Sequence, residues 1–244
     1  MILVGTVHID IEGPNRLMKL LEKYNPEIIS IECPSNRSIN EVIEYIDRER
    51  TEMSSQVNNS NLPENLKKLV LEYVSCSHYE APTAIDYAKK SGSKLHFVDY
   101  PGMVLQKEFD ISDALTTGNM TAEEIERLNK MPYDTFRAAC VKQTDKTYFN
   151  YEFMAALTKN MSKKSLDKLI EFTKQITNEK FAEDREEFMA IKISELKPSM
   201  HIGGMIHMFE YEGNISSITP LYKRLTNIPI QRIRLCEPDK IYTL

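Results

Sequence analysis

Residues 2–8 read Ile2-Leu3-Val4-Gly5-Thr6-Val7-His8. Apolar β-formers lead into a glycine, and a histidine follows three residues later. A short apolar run of this kind reads as a buried strand. The glycine lets the backbone approach a ligand or a neighbour closely, and the histidine stands where the strand gives out. The pattern returns near the other end as Met200-His201-Ile202-Gly203-Gly204-Met205-Ile206-His207, where Gly204 stands to His207 as Gly5 stands to His8. Ligands of an open parallel sheet bind outside the carboxyl ends of its strands. Two such strands, if they are neighbours, would deliver two histidines to one site.

Outward from the first strand the chain reads as strand–helix–strand. Leu17, Leu20, Leu21 and Tyr24 keep helical spacing, and Asn25-Pro26 ends that helix. Ile28 to Cys33 is a second strand closed by Pro34, and so compact a βαβ unit is parallel with a right-handed crossover. Glu32 then emerges at the same sheet edge as His8, while Cys33 points to the opposite face. A helix from Ser38 to about Arg50 is predicted, then a polar loop from Ser54 to Asn61, and helices from Pro63 to Ser75 and from Pro82 to Lys90. Lys94–Tyr100 is a third strand with Asp99 near its end. Residues 101–183 carry almost no strand signal and read as a helical lobe. Thr121 to Glu124 fits a capping box there, and Leu166, Leu169, Ile170 and Thr173 keep helical spacing. The tail adds a helix over Ser217–Leu225 and a β-run over Ile230–Leu235. The expected fold is α/β: a mostly parallel sheet flanked by helices, with core segments 1–100 and 184–244 and the lobe inserted before the last strands.

Composition narrows the function classes. A hydrophobic fraction of 41% and a charged fraction of 27% over 244 residues describe one globular domain. A net charge of −5 argues against nucleic acid or an anionic membrane as partner. Four scattered cysteines without a C-x-x-C pair suit reduced thiols, no apolar run is long enough to span a bilayer, and the first strand begins at residue 2. A cytoplasmic location is the expectation.

Two histidines and a carboxylate are a common ligand set for a catalytic divalent metal with positions left open for water. His8, His207 and Glu32 match in type, with Asp99 as a fourth ligand or a general base. The plainer alternative is that each histidine is a hydrogen-bonded residue near a strand end, since no local ligand spacing such as H-E-x-x-H links them. Cys76-Ser77-His78 reads as a helix end, His96 as structural, and His201 as lying at the wrong end of its strand. Cys33 lacks a histidine on its own face. Gly203-Gly204 is not a phosphate loop, because neither G-x-G-x-x-G nor G-K-[ST] occurs. The run Glu183-Asp184-Arg185-Glu186-Glu187 reads as a solvated helix face.

Taken together, these residues resemble the TraB/PrgY family, within a wider group that includes the Tiki metalloproteases, GumN-like, ChaN-like and erythromycin-esterase proteins. The resemblance rests on G-T-x-H after the first strand and on Glu32 ending the second, with Arg37 five residues later. Asp184-Arg185-x-x-Phe188-Met189-Ala190 and the late G-x-x-H add to it. Two departures are Pro34, where the family often carries aspartate, and Asp99-Tyr100, where it often carries Asp-Arg after the third strand. The resemblance implies a metal-dependent hydrolase, a peptidase foremost, centred on His8, His207, Glu32 and Arg185, with Mn, Co or Zn as fitting ions. Arg185 would steady an oxyanion or a carboxylate. The second reading is a non-catalytic protein that sequesters a peptide, haem or another small ligand in the same crevice.

Overall fold

The computed structural model describes residues 1–8, 10–101, 123, 126–127, 130–149, 179–209 and 219–243. A six-stranded sheet runs through them, formed by β1 (Ile2–Thr6), β2 (Ile28–Pro34), β3 (Lys94–Asp99), β4 (Met200–Gly204), β5 (Gln231–Arg234) and β6 (Tyr242–Thr243). Its order is β3-β2-β4-β1-β5-β6, and every pairing is parallel except β5 with β6. The fold is thus α/β with a mostly parallel sheet, as the apolar runs lead one to expect.

Each early helix follows from local signals. Pro14 sits in the first turn of α1 (Gly13–Tyr24) and Asn25 closes it in the left-handed region, at φ 43°. Leu17, Leu20 and Leu21 are fully buried, each contributing about 2 kcal/mol of transfer energy. Ser38 and Glu41 form a reciprocal capping box at the start of α2 (Ile39–Asn59). That helix runs through Ser54–Asn59, so the predicted polar loop is mostly helical. The reason is tertiary: Val57 is fully buried in a small cluster with Leu62 and Val74, which the polar composition around it obscures. Next come α3 (Glu64–Cys76) and α4 (Glu80–Ser91), the latter ended by Gly92 at φ 78°. The positive φ is what calls for glycine there.

The later helices are α5 (Tyr133–Thr147), α6 (Glu179–Leu196), α7 (Met205–Met208) and α8 (Leu221–Arg224). The capping box at residue 121 and the spacing around residue 166 lie outside the described residues, as does most of the predicted lobe. α1 packs against α4, which lies against β2 and β3, while α6 contacts β3 and α8, and α7 contacts β1, β4 and α8. Leu3, Val4, Ile29, Ile31, Met200, Ile202 and Ile233 are buried in the core. No helix among the described residues is long and apolar enough to cross a membrane.

Candidate functional site

β1 and β4 are neighbours in register, Gly5 beside Gly203 and Thr6 beside Gly204. Both histidines therefore leave the same edge of the sheet. His8 lies two residues past the end of β1. His207 is carried by α7, a single helical turn that begins immediately after Gly204, so it arrives from a helix rather than from the strand itself. Glu32 comes from the far side of β4. Ile31 pairs with Phe97 and Pro34 with Asp99, so three steps along β2 match two along β3. Glu32 and Cys33 sit in this bulge, a device that re-aims side chains.

The three candidate ligands converge over Gly204. A Cβ there would stand 3.4 Å from Glu32 Oε2, 3.4 Å from His8 Nε2 and 3.5 Å from His207 Cδ2. The Gly204 N–H donates to Glu32 Oε2 at 2.5 Å, and His207 Nε2 lies 3.0 Å from Glu32 Oε1. Both imidazoles are fixed from behind by carboxylates. His8 Nδ1 is 2.7 Å from Glu80 Oε1, in the first turn of α4, and His207 Nδ1 bonds Glu186 of α6. Glu80 and Glu186 are only 6% and 5% exposed. Each histidine thus turns Nε2 toward the same space while a buried acid holds its other nitrogen.

Arg185 joins the remaining acids. Its Nε donates to Asp99 Oδ1 at 2.7 Å and its Nη2 to Asp99 Oδ2 at 2.8 Å, and Nη2 also bonds Glu32 Oε1. Asp99 further accepts from the Tyr100 N–H. Asp99 therefore stands behind Arg185, engaged through both oxygens, and not beside the histidines as a fourth ligand would. Arg37 is absent from this cluster: it pairs with Glu41 at the exposed start of α2.

The sequence missed three members. Glu186 belongs to the run that reads as solvated, yet it shares the buried face of α6 with Met189, Ala190 and Ile193. That i, i+3, i+4, i+7 stripe was the signal that could have found it. Ile191, outside that stripe, is 50% exposed. Glu80 carried no signal beyond its place in a helix's first turn. His201 lies nearer the site than its strand position suggests. Its Nδ1 is 3.0 Å from Ser30 Oγ, and its buried Nε2 has no partner among the described residues. A Cβ on Gly203 would stand 3.2 Å from that nitrogen and 2.8 Å from Glu32 Oε2.

Glu32, Glu80, Glu186 and Asp99 give four largely buried carboxylates against one guanidinium. Buried charge persists only when paired or metal-bound. In the metal-free protein the histidines supply the balance. Glu80 beside it raises His8 to about 9, although 55% exposure of that side chain screens the pair. Burial opposes a charge on His207, but Glu186 and Glu32 outweigh it and push it up to about 10. Burial, with the His207 charge adding to it and Glu32 opposing, drives His201 down to about 4. Burial likewise raises Glu32, yet His207 and Arg185 overcome it and hold the carboxyl well below the usual range. Burial first, then Glu80, Asp99 and Glu32, push the Cys33 thiol up, so no thiolate nucleophile is present.

A stability profile follows from these shifts. His8 and His207 have raised pKa values, so their contribution is full below pH 6.5 and is lost as pH rises through about 9 and 10. His201 has a lowered one, so its contribution is full above pH 6.5 and is lost as pH falls toward about 4. Urea midpoints of metal-free protein are expected to peak near pH 6.5 and to fall on both sides. A midpoint that climbs steadily from pH 6.5 to 10 would contradict the charged His207.

No family model matches this chain, and no curated protein or solved structure matches it either. Among the described residues, no three His, Cys, Asp or Glu side chains already stand as a closed metal-ligating set. His207 and Glu32 bond one another instead.

Proposed function

We propose that the chain is a divalent-metal-dependent hydrolase of the TraB/PrgY type, acting on peptide-like substrates. One observation carries the reading: two imidazole Nε2 atoms, each backed by a buried carboxylate on Nδ1, converge with Glu32 on the space over Gly204. Histidines that ligate metals commonly give their other N–H to a carboxylate, which fixes the ring and raises its basicity. The donor set is therefore chemically suited to Mn, Co or Zn. His8, His207 and Glu32 would hold the ion, once the proton shared by His207 and Glu32 is given up. Such an ion supplies Lewis acidity, polarising a carbonyl and lowering the pKa of water.

The chain's own residues divide the remaining work. Glu32 stays ionised and can take a proton at Oε1 or Oε2. Arg185 keeps it so and anchors β2 to β3 through Asp99. With Nε and Nη2 already engaged, Arg185 serves as a positioning residue, a narrower role than holding an oxyanion. Glu80 and Glu186 hold the imidazole tautomers.

The test is a screen of peptides and esters with metal-stripped protein, to which Mn, Co or Zn is added singly. Turnover is expected only with metal. Glu32→Gln keeps the shape and is expected to lower kcat by about a hundredfold or more, and to lower the metal-free melting midpoint as well, since the ionised carboxylate pairs with Arg185 and His207. Stoichiometric metal binding without turnover on any peptide or ester would turn the reading to the sequestering protein.

A further inference from the structure

Arg232 and Arg234 lie two residues apart on β5, and so project from the same face of the sheet. Arg234 pairs in register with Gly5, at the carboxyl end of the sheet where the histidines emerge. The Phe209 ring serves both arginines. The Arg234 guanidinium carbon is 4.2 Å from its centroid and that of Arg232 is 5.2 Å away. Tyr222 covers Arg232 at 4.3 Å, and Tyr242 and Phe149 cover Arg234 at 4.6 and 4.9 Å.

The donors of these two groups are poorly used. Among the described residues Arg234 gives only Nε, to the Tyr148 carbonyl at 3.1 Å. Among the described residues Arg232 gives two long bonds, to the Met208 and Thr243 carbonyls at 3.3 and 3.4 Å, and its buried Nε has no partner. Neither arginine meets a carboxylate among the described residues. The acids nearest in sequence are committed elsewhere: Glu237 to Lys240 and the Tyr242 hydroxyl, Asp239 to Lys23. Aromatic faces offset part of the desolvation of a cation, but they leave the N–H forks of the guanidinium groups unsatisfied. Two forks fixed by rings and short of acceptors suit a planar anion that takes parallel hydrogen bonds.

We propose that Arg232 and Arg234 form a carboxylate subsite beside the histidine cluster, and that it takes the C-terminal carboxylate of a short peptide. The substrate role rests on the hydrolase reading; the binding itself does not. Position sets the length. Arg234 lies two strands from Gly203, about 10 Å at the usual strand spacing, which three extended residues span.

Calorimetry on metal-free protein separates the two claims. The probes are N-acetyl-trialanine and its C-terminal amide, with inorganic phosphate as competitor. Wild type is expected to bind the acid at least about tenfold more tightly than the amide, as a charge-assisted pair allows. Arg234→Gln should erase that preference, and His207→Ala should keep it. Arg234→Lys keeps a stacking cation without the fork and should also erase it, so it carries the test if the glutamine variant does not fold. Equal binding of acid and amide overturns the subsite. Phosphate that binds more tightly than the acid and displaces it overturns the peptide assignment. Intact acid preference with no turnover in any metal leaves the subsite standing and removes the hydrolase.

Discussion

Alanine at His8 or at His207 is expected to weaken binding of Mn, Co or Zn by at least about a hundredfold. Partners that merely orient a ligand are worth 10–100-fold in metal affinity, and a direct ligand in an open three-donor site is worth no less. Glu80→Gln and Glu186→Gln should therefore show the smaller loss. Gly204→Ala tests the same space without touching a donor. Gly204 has φ −59° and ψ 146°, which alanine adopts freely, and the new methyl would stand in contact with Glu32, His8 and His207. That variant should keep its melting midpoint and lose the metal. Titration calorimetry on stripped protein reads all of these. Wild-type affinity in both histidine variants would mean that the cluster is only a hydrogen-bonded strand end.

Arg185→Ala is expected to cost about 3–5 kcal/mol of folding stability, because it leaves Asp99 a buried acid without its cation and Glu32 with His207 alone. Arg185→Lys should recover little of it. One planar fork serves Asp99 through two nitrogens and Glu32 through the second of them, a geometry that a point charge on a flexible stem does not reproduce. Urea unfolding of the three proteins without metal measures this. Wild-type stability in the lysine variant would reduce Arg185 to a general positive charge.

What the sequence revealed was local. Ile2–Val4 and Ile28–Ile31 are largely apolar runs, and the compact parallel βαβ unit put Glu32 at the site edge. The pairing of Gly5 with Gly203, nearly two hundred residues apart, is not a local property, and with it went the convergence of His8 and His207. Glu80 and Glu186 were missed for a different reason. A lone acid in a helical run is usually solvated, and only tertiary burial against an imidazole makes these two exceptional. Asp99 was seen as a strand-end acid, but its partner Arg185 arrives from α6, so its place behind the arginine could not be read. The same holds for Ser54–Asn59, whose polar composition hides the one buried valine that keeps α2 going.

The most direct test of the metal centre is an anomalous-difference map from crystals grown with Mn, Co or Zn and measured at that ion's absorption edge. The expected result is one peak over Gly204, about 2.0–2.2 Å from Nε2 of both His8 and His207 and from a Glu32 oxygen. A map with no peak there, or with the ion bound elsewhere while His207 still bonds Glu32, would contradict the three-residue metal site.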